Sequence, residues 1–293
     1  LAVKAMTKIE GTASDPTAGF DYAQIRISTG AGAQYWNGTV WTAVSNTWRP
    51  APRLGASTTY WSYTVDQPML KDDIEYKVEA RAVDYAGNVS VVYSTYTVTY
   101  DTTAPSISLT YPKDNEVYSQ IKVSTPVAGT SGNTQVSLNT GVSTVTVQIS
   151  DVDTLQCFNG TNFGGCPQWL GVNGGSPDPW GFTNPALAFI NDHRYKVESK
   201  AIDYAGNTSA IPQVAIQYDT EKPTSTVTYP YAEYVSTLTA VSGTAKDDPG
   251  GSMLYEAGLA SYTVKVAIKQ IIIDKWWNGS SDFNGNNPVW AEG

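Results

Sequence analysis

An internal repeat is the feature of this sequence that most constrains its fold. Residues 76–88 read Tyr-Lys-Val-Glu-Ala-Arg-Ala-Val-Asp-Tyr-Ala-Gly-Asn, and residues 195–207 repeat them as Tyr-Lys-Val-Glu-Ser-Lys-Ala-Ile-Asp-Tyr-Ala-Gly-Asn. The linker Asp-Thr-Thr-Ala-Pro at 101–105 returns as Asp-Thr-Glu-Lys-Pro at 219–223. Because self-similarity at a fixed spacing marks one structural unit per repeat, the sequence predicts a row of domains of about 120 residues each.

The domain boundaries are placed at the two linkers, since proline fixes φ and lacks an N–H, which suits a stiff crossover. Repeat one then covers 1–104, repeat two covers 105–222 and repeat three covers 223–293. We expect repeat one to lack its first strand, because it has no counterpart of the Thr-Tyr-Pro at 110–112. We expect repeat three to be incomplete at its C-terminus, because everything equivalent to 191–218 is absent from it.

Each repeat has the sequence pattern of half-buried strands. Along residues 74–84 the even-numbered positions from Ile74 to Ala82 are apolar, and the odd-numbered positions from Glu75 to Arg81 are charged. Alternate side chains of a strand point to opposite faces, so this pattern predicts a strand with one buried face. Asn-Gly pairs at 37–38, 159–160 and 278–279 are strong hairpin signals. Short strands and frequent turns predict an all-β chain of tandem immunoglobulin-like β-sandwich domains.

Two tyrosines hold the same place in the repeat. Tyr76 and Tyr195 each precede a Val-x-x-x-Ala sequence at the start of the predicted strand. We expect both to be core positions that form a tyrosine corner, in which the hydroxyl group bonds back to the chain.

The repeated segments resemble a known group of proteins. The Tyr-x-Val-x-x-x-Ala-x-Asp-x-Ala-Gly-Asn strand and turn, the Asp-Thr-Thr-Ala-Pro linker and the Gly-Thr-Ala-x-Asp strand end are similar to bacterial immunoglobulin-like repeats. Such repeats, which are Ig-like or fibronectin III-like, are strung along large surface or secreted proteins. The resemblance covers essentially the whole chain and implies a spacer or adhesive role outside the cell. Repeat two departs from its neighbours at residues 157–158, where Cys-Phe replaces Tyr-Trp and Trp-Trp.

Composition and missing motifs exclude several functions. The net charge of −9 repels a phosphate backbone, so we expect no nucleic-acid partner. No run reaches the roughly 18 to 20 apolar residues of a membrane span, so we expect no membrane insertion. The single histidine, His193, has no supporting nucleophile motif, and phosphate loops and His-Cys zinc clusters are missing from the sequence. We therefore expect a non-catalytic chain and assign no catalytic, cofactor-binding or metal-ligating residue.

Two cysteines enclose one of the Asn-Gly turns. Cys157 and Cys166 lie nine residues apart in sequence, so their thiols can meet across a hairpin. We favour a disulfide, which fits an oxidising compartment, over two free thiols in a reducing one. Metal ligation by two sulfur atoms with no other soft ligand nearby is disfavoured.

Calcium is the one cofactor that the aspartates suggest. Asp84 and Asp203 lie in the Asp-x-Ala-Gly-Asn turns, and Asp101 and Asp219 begin the linkers. Carboxylates and backbone carbonyls are calcium ligands, and a cation at these places would stiffen a row of domains. The simpler interpretation is that each aspartate caps its own turn by accepting backbone N–H groups.

Tryptophans around the first hairpin allow two interpretations. Exposed indoles can stack on sugar rings, and buried indoles can cover the hairpin and the edge of the core. Packing is favoured for Trp48, because Trp169 and Trp290 hold the same position while the surrounding loops diverge. The candidate ligand-stacking residues are Trp36, Trp41, Trp48 and Trp61.

Two functions follow from these observations. The first is a structural or adhesive segment of an extracellular or cell-surface bacterial protein, acting as spacer, stalk or fibre component. Its partners are then neighbouring repeats of the same chain or identical subunits in a fibre. The alternative is a set of carbohydrate-binding modules attached to a secreted glycosidase, with glycans as partners. Tryptophan rings exposed along one face favour binding, and buried rings favour spacing.

Overall fold

The fold of the described residues is all-β, as the sequence predicts. A computed structural model describes residues 1–293 except 31, 46, 56–58, 67–68, 92, 120, 122–126, 134–140, 175–177, 232–234, 248–263, 281 and 293. Every secondary-structure element named in it is a strand. Within the described ranges, no helix has the length and apolar character needed to cross a membrane.

Repeat one folds into two sheets that enclose a core. Its strands, in chain order, are β1 (Ala2–Val3), β2 (Lys8–Thr12), β3 (Phe20–Thr29), β4 (Tyr35–Trp36), β5 (Trp41–Thr42), β6 (Arg49–Ala51), β7 (Tyr60–Thr64), β8 (Ile74–Asp84) and β9 (Ser94–Tyr100). The larger sheet has the order β1-β9-β8-β3-β4-β5, with β6 also paired to β3. The smaller sheet pairs β2 with β7. Within the larger sheet β3 and β8 are antiparallel, whereas β1 runs parallel to β9.

Repeat two has the same two sheets. Its strands, in chain order, are β10 (Ser106–Tyr111), β11 (Glu116–Tyr118), β12 (Val127–Gly132), β13 (Val142–Asp151), β14 (Gln156–Phe158), β15 (Phe163–Gly164), β16 (Leu170–Gly171), β17 (Trp180–Phe182), β18 (His193–Asp203) and β19 (Gln213–Tyr218). The larger sheet runs β11-β19-β18-β13-β14-β15, with β16 on β13. The smaller sheet is β10-β12-β17, so it has one strand more than its counterpart in repeat one.

A hydrophobic core lies between the two sheets of each repeat. In repeat two the alternation of β18 buries Tyr195, Val197 and Ala201 against residues of the smaller sheet such as Trp180. In repeat one Tyr76 and Ile25 of the larger sheet share a cluster with Trp61 of the smaller one. Removal of these apolar surfaces from water, at about 25 cal/mol per Å², is the main force that holds the sheets together.

Strand β8 departs from the predicted alternation at Glu79. The sequence places this residue on the charged outer face, yet its side chain is buried. Arg26 Nη2 lies 2.6 Å from its carboxylate and Lys77 Nζ lies 2.9 Å away. Burial raises the pKa of Glu79, but the hydrogen bonds from Lys77 and Arg26 outweigh it and hold the pKa below its usual value. The buried charge is thus compensated by two cations.

The two repeat tyrosines are fully buried and form the predicted corners. Tyr76 Oη accepts a hydrogen bond of 2.8 Å from the Lys71 amide. Tyr195 Oη accepts one of 2.7 Å from the Ile190 amide. Burial raises the pKa of Tyr195 to about 12. Each corner therefore ties the start of the long strand to the loop that precedes it.

Two replacements of Tyr195 should separate the contribution of its hydrogen bond to stability from that of its buried ring. Tyr195→Phe removes only the acceptor for the Ile190 amide and should lower the free energy of unfolding by about 1 kcal/mol. Tyr195→Ala also empties a core site and should cost about 3 to 5 kcal/mol. Chemical denaturation measures both. The exposed Tyr204 provides the control, since Tyr204→Phe should change nothing. A loss below about 1 kcal/mol for Tyr195→Ala would contradict the burial.

Repeat three contains short strand pairs without a buried core among its described residues. Its strands, in chain order, are β20 (Thr224–Tyr229), β21 (Ser242–Lys246), β22 (Lys265–Val266), β23 (Lys269–Gln270), β24 (Lys275–Trp277), β25 (Phe283–Gly285) and β26 (Ala291–Glu292). They form the sheets β20-β21, β22-β26 and β23-β24-β25. No residue of 223–290 that the structure describes is buried, and Ile272 is 94% exposed. The incompleteness of this repeat stays a prediction.

Candidate functional site

The junction between repeats one and two is a hydrogen-bonded site that both repeats build. The linker begins with Asp101 directly after β9, and the repeated turn 203–207 directly follows β18. Asn207 Nδ2 donates 2.9 Å to the backbone oxygen of Asp101. Lys4 Nζ donates 2.7 Å to the backbone oxygen of Gly206. Two hydrogen bonds thus join the start and the end of repeat one to a single turn of repeat two.

Asp101 is a buried acidic residue at this junction. Its side chain is completely buried, and its Oδ1 accepts a hydrogen bond of 3.0 Å from the Thr103 amide. Its Oδ2 is also buried and has no hydrogen-bond partner among the described residues. Burial raises the pKa of Asp101, and the nearby negative charges of Asp203 and Asp72 raise it further. A buried carboxylate in this state favours a proton or a cation.

A second contact holds the linker onto the domain that precedes it. Asp72 accepts hydrogen bonds from the amide and hydroxyl groups of Thr102 through Oδ1, and from the hydroxyl of Thr103 through Oδ2. In the second linker, Asn191 Oδ1 likewise accepts from the amide and the hydroxyl of Thr220. The same anchoring contact therefore appears at both linkers.

The Asp-x-Ala-Gly-Asn turn occurs at 84–88 and at 203–207, and the linker covers only the second copy. Asp203 accepts from the amide and the side chain of Asn207 at 2.8 and 3.0 Å. Asp84 accepts from the amide and the side chain of Asn88 at 2.7 and 2.8 Å. The hydrogen bond from the Asn88 side chain is the main cause that lowers the pKa of Asp84. Asn207 is buried, whereas Asn88 is exposed. The turn geometry is thus intrinsic, and the linker accounts for the difference in burial.

The turn aspartates behave as the simpler interpretation of the sequence predicts. Asp84 and Asp203 cap their own turns, and Asp219 Oδ1 accepts a hydrogen bond of 2.8 Å from the Glu221 amide. The structure brings only Asp101 and Asp203 of the four candidate calcium ligands to the junction between repeats one and two. The Asn207 side chain that bonds both of them was not among the candidates.

Residues 4–102 and 179–220 match the family model of a bacterial Ig-like domain. The match covers nearly all of repeat one and the end of repeat two. A comparison with curated proteins finds no match.

Several solved structures are similar to this chain. The fibronectin(III)-like modules of Clostridium thermocellum CbhA are 13% identical, with 74% of this chain and 88% of that chain covered and a TM-score of 0.38. A tetra-tandem repeat from the extending region of a large adhesion protein is 19% identical, with 83% and 55% covered and a TM-score of 0.31. A solved chain from work on a 1.5-MDa bacterial ice-binding adhesin is 16% identical, with 76% of this chain and 63% of that chain covered and a TM-score of 0.31. The chain thus spans less than two thirds of the two adhesin structures.

The expected disulfide is present in the second Ig-like domain. Cys157 lies on β14 and is bonded to Cys166, which follows β15, with a Cα–Cα distance of 5.0 Å. Cys157 is buried against the core, whereas Cys166 is exposed. The bond therefore closes the hairpin that carries the Asn-Gly turn and ties its outer strand to the core.

Removal of the disulfide should weaken this domain moderately. The double variant Cys157→Ser/Cys166→Ser opens a small loop and should lose about 2 to 3 kcal/mol by the chain-entropy estimate. Calorimetry of the oxidised protein and the variant gives the difference. Intact mass after alkylation of the unreduced, unfolded protein should show no modified cysteine, and two modified cysteines would contradict the bond.

Three of the four candidate tryptophans pack inside the first Ig-like domain. Trp36 and Trp61 are buried in its core. Trp41 stacks on Tyr76 with 5.4 Å between ring centroids, and its Nε1 donates 2.9 Å to the backbone oxygen of Met69. These rings therefore support the interior instead of a sugar-binding face.

The fourth candidate, Trp48, packs on the outside of the large sheet. The guanidinium groups of Arg26 and Arg81 lie 4.8 and 4.1 Å from its ring, and Tyr93 contacts it edge-on. In the next domain the equivalent Trp169 lies under Lys200 at 4.0 Å. A repeated cation–π contact of this kind, worth about 0.5 to 1 kcal/mol at an exposed site, explains why the tryptophan recurs.

The single histidine belongs to a polar group that sequence reasoning did not find. His193 Nδ1 lies 2.7 Å from Oδ2 of the buried Asp151. Asp151 Oδ1 accepts from the Asp153 and Thr154 amides. The hydrogen bond from Arg194 is the main cause that lowers the pKa of Asp153. Because these carboxylates already have partners, the group ties the end of β13 to the start of β18. The only signal in the sequence was the position of His193 beside the corner tyrosine.

Proposed function

We propose that this chain is a non-catalytic structural segment, a semi-rigid row of bacterial Ig-like domains that acts as a spacer, stalk or fibre component outside the bacterial cell. The observation that supports this most is the junction, where Asn207 of one domain bonds the backbone of Asp101 in the linker of the other. A spacer needs domains whose relative orientation is held, and this contact holds it.

The linker supports stiffness by its own structure. Domains joined by flexible chains move relative to one another by default. Here Thr102 and Thr103 are bonded to Asp72 of the preceding domain, and the buried Asp101 is covered by the following one. Pro105 then fixes the backbone at the entry to β10. The linker therefore has hydrogen bonds to the domains on both of its sides.

Two further observations support the structural role and a location outside the cytoplasm. Bacterial Ig-like domains are typically non-catalytic. The Cys157–Cys166 disulfide fits an oxidising compartment, which for a bacterial protein means outside the cytoplasm. The burial of Trp36 and Trp61 gives no support to the carbohydrate-binding alternative.

The stiffness of the junction can be tested with a matched pair of variants in the full chain. Asn207→Ala and Asn88→Ala disrupt the same turn in two domains, but only Asn207 reaches the linker. Asn207→Ala should widen the distribution of domain orientations, because the bond to Asp101 is lost. Small-angle scattering with residual dipolar couplings measures this distribution.

Asn88→Ala serves as the control for the turn itself. It should lower the stability of the first domain about as much as Asn207→Ala lowers that of the second, without changing their relative orientation. Equal domain mobility in the wild-type protein and in Asn207→Ala would contradict the proposal.

We also propose that calcium neutralises and stiffens this junction. The residues present fit such an ion, because the buried Asp101 Oδ2 has no hydrogen-bond partner among the described residues and Asp203 adds a second carboxylate. Calcium takes oxygen ligands of this kind, from carboxylates and backbone carbonyls. Asp101 and Asp203 would hold the ion. Its charge would offset the cost of burying the Asp101 carboxylate, which is the main cause of its raised pKa, and the repulsion from Asp203, which adds to it.

Asp101→Asn removes the negative charge of the side chain and keeps its size, so it tests the effect of the charge alone. In the presence of a chelator the variant should be more stable than the wild type at neutral pH, by about 1 to 3 kcal/mol, since an unpaired buried charge is removed. Because the folded-state pKa of Asp101 is raised, its favourable contribution exists at low pH and is lost as pH rises through that pKa. The advantage of Asp101→Asn should therefore shrink on acidification.

At neutral pH, calcium should make the wild type more stable than Asp101→Asn. It should raise the melting temperature of the wild type and not that of Asp101→Asn, as measured by calorimetry. Asp66→Asn, which removes an equal charge from an exposed position, should respond to calcium like the wild type. The same calcium-dependent increase in Asp101→Asn would show that the ion binds elsewhere.

A further inference from the structure

A guanidinium group without a counter-ion lies beside the β4–β5 hairpin of repeat one. Arg49 begins β6, and its side chain is half-buried. Its Nε is buried without a hydrogen-bond partner among the described residues, whereas Nη1 and Nη2 have no hydrogen bond to those residues and are not buried. The ion pairs described in repeat one do not include it; they are Lys8–Glu10, Arg26–Glu79 and Lys77–Glu79. An unpaired charge that is partly removed from water costs free energy.

Repeat two has a leucine in the same place. Leu170 occupies on β16 the register that Arg49 occupies on β6. It packs against the core of its domain, and its Cδ2 lies 3.8 Å from the place that a Cβ on Gly160 of the hairpin would take. An apolar side chain therefore fills this position of the fold, and packing does not require the charge of Arg49.

Gly38 allows the guanidinium group to lie directly against the hairpin turn. The residue has a φ of +100°, in the region that glycine adopts without strain. A Cβ at this position would lie 2.6 Å from both Cζ and Nη2 of Arg49, closer than such atoms can approach. A side chain on residue 38 would therefore displace the cation from the turn.

The turn adds a second donor that has no acceptor. Asn37 Oδ1 accepts hydrogen bonds of 2.9 Å from the amides of Thr39 and Val40, which fixes the orientation of the side-chain amide. Its Nδ2 therefore faces away from these two amides, and it has no hydrogen bond within the part of the chain that the structure describes. In repeat two, Asn159 Nδ2 instead donates 2.8 Å to Asn162 Oδ1. The hairpin of repeat one thus has unused donors where that of repeat two satisfies its own.

Donors without acceptors, one of them charged, favour an anionic ligand. A guanidinium group presents parallel N–H groups in a planar fork that matches the two oxygens of a carboxylate. Hydrogen bonds of this charge-assisted kind are roughly twice as strong as those between neutral groups. The neighbouring amide of Asn37 can donate to the same carboxylate or to a hydroxyl group beside it.

We propose that Arg49 and Asn37 form a carboxylate-binding site at the β4–β5 hairpin. Nη1 and Nη2 of Arg49 donate to the two carboxylate oxygens, and Nδ2 of Asn37 supplies a further donor. The ligand class is a small carboxylate, either a free organic acid or an acidic sugar unit such as a hexuronate. The site goes beyond the spacer role and does not rest on it, because it uses no residue of the junction.

Titration of the full chain with galacturonate, at constant ionic strength, tests the proposal by NMR. Galacturonate should shift the side-chain resonances of Arg49 Nε–H and Asn37 Nδ2–H₂ saturably. Galactose, which lacks the carboxylate, should shift neither. Acetate that binds as tightly as galacturonate would identify a free acid as sufficient, and tighter binding of galacturonate would identify the acidic sugar. The absence of a saturable shift, an equal response to galactose, or tighter binding of inorganic phosphate than of both acids would overturn the proposal.

Three variants of the full chain separate the fork from the charge. Arg49→Leu introduces the residue of repeat two and should abolish the response to galacturonate without loss of stability. Arg49→Lys keeps the charge but not the planar fork, so the affinity should fall about tenfold. Lys8→Gln removes an equal charge from an exposed position of the same domain and should bind like the wild type. Unfolding curves of all three variants check the fold.

A purely structural arginine gives the opposite pattern. Arg49→Leu would then destabilise the domain and bind galacturonate as the wild type does, and equal affinity of these two proteins would overturn the proposal. If Arg49→Leu does not fold, Arg49→Lys decides, because an affinity equal to that of the wild type would show that the guanidinium fork is not used. None of these outcomes bears on the junction, whose stiffness is measured with Asn207→Ala.

Discussion

The central antiparallel strand pair of repeats one and two determines where the other elements of each domain lie. In repeat one β3 pairs with β8, and in repeat two β13 pairs with β18, each over most of its length. An eleven-residue strand such as β18 spans about 37 Å, so it reaches from one end of its domain to the other. Its first residues carry the corner tyrosine, and its last residue begins the Asp-x-Ala-Gly-Asn turn. The burial of Tyr195 at one end therefore holds the strand that places Asp203 at the other.

This arrangement explains how one repeated strand and turn can both stabilise its own domain and contact the linker of the neighbouring domain. The linker leaves each domain beside the corner tyrosine, because Tyr100 pairs with Ile74 at the start of β8. The turn lies at the opposite end, so repeats one and two each have a linker at one end and an Asp-x-Ala-Gly-Asn turn at the other. Contacts of this type are heterologous, because they join two different surfaces. A contact between two different surfaces can in principle recur from one domain to the next.

Local features of the fold could be predicted from the sequence, and long-range pairings could not. Strand alternation predicted the burial of Tyr76 and Val78, because a period of two depends only on neighbouring residues. The burial of Glu79 depends on Arg26, 53 residues away, and carries no local signal. The contact of Asn207 with Asp101 joins residues 106 positions apart. Both residues lie in repeated motifs of the sequence, Asp101 in the linker and Asn207 in the turn. Only the fold shows that the linker and the turn contact each other.

The parallel pairing of β1 with β9, and of β11 with β19, has a mechanical consequence. In each domain the first strand of the large sheet runs beside the last one in the same direction. Tension applied to the two ends of the row pulls these neighbours past each other along their length. Their hydrogen bonds are then loaded together and must break together, whereas an unzipping geometry would break them one at a time. Repeats one and two should therefore resist a force that pulls these paired strands in opposite directions.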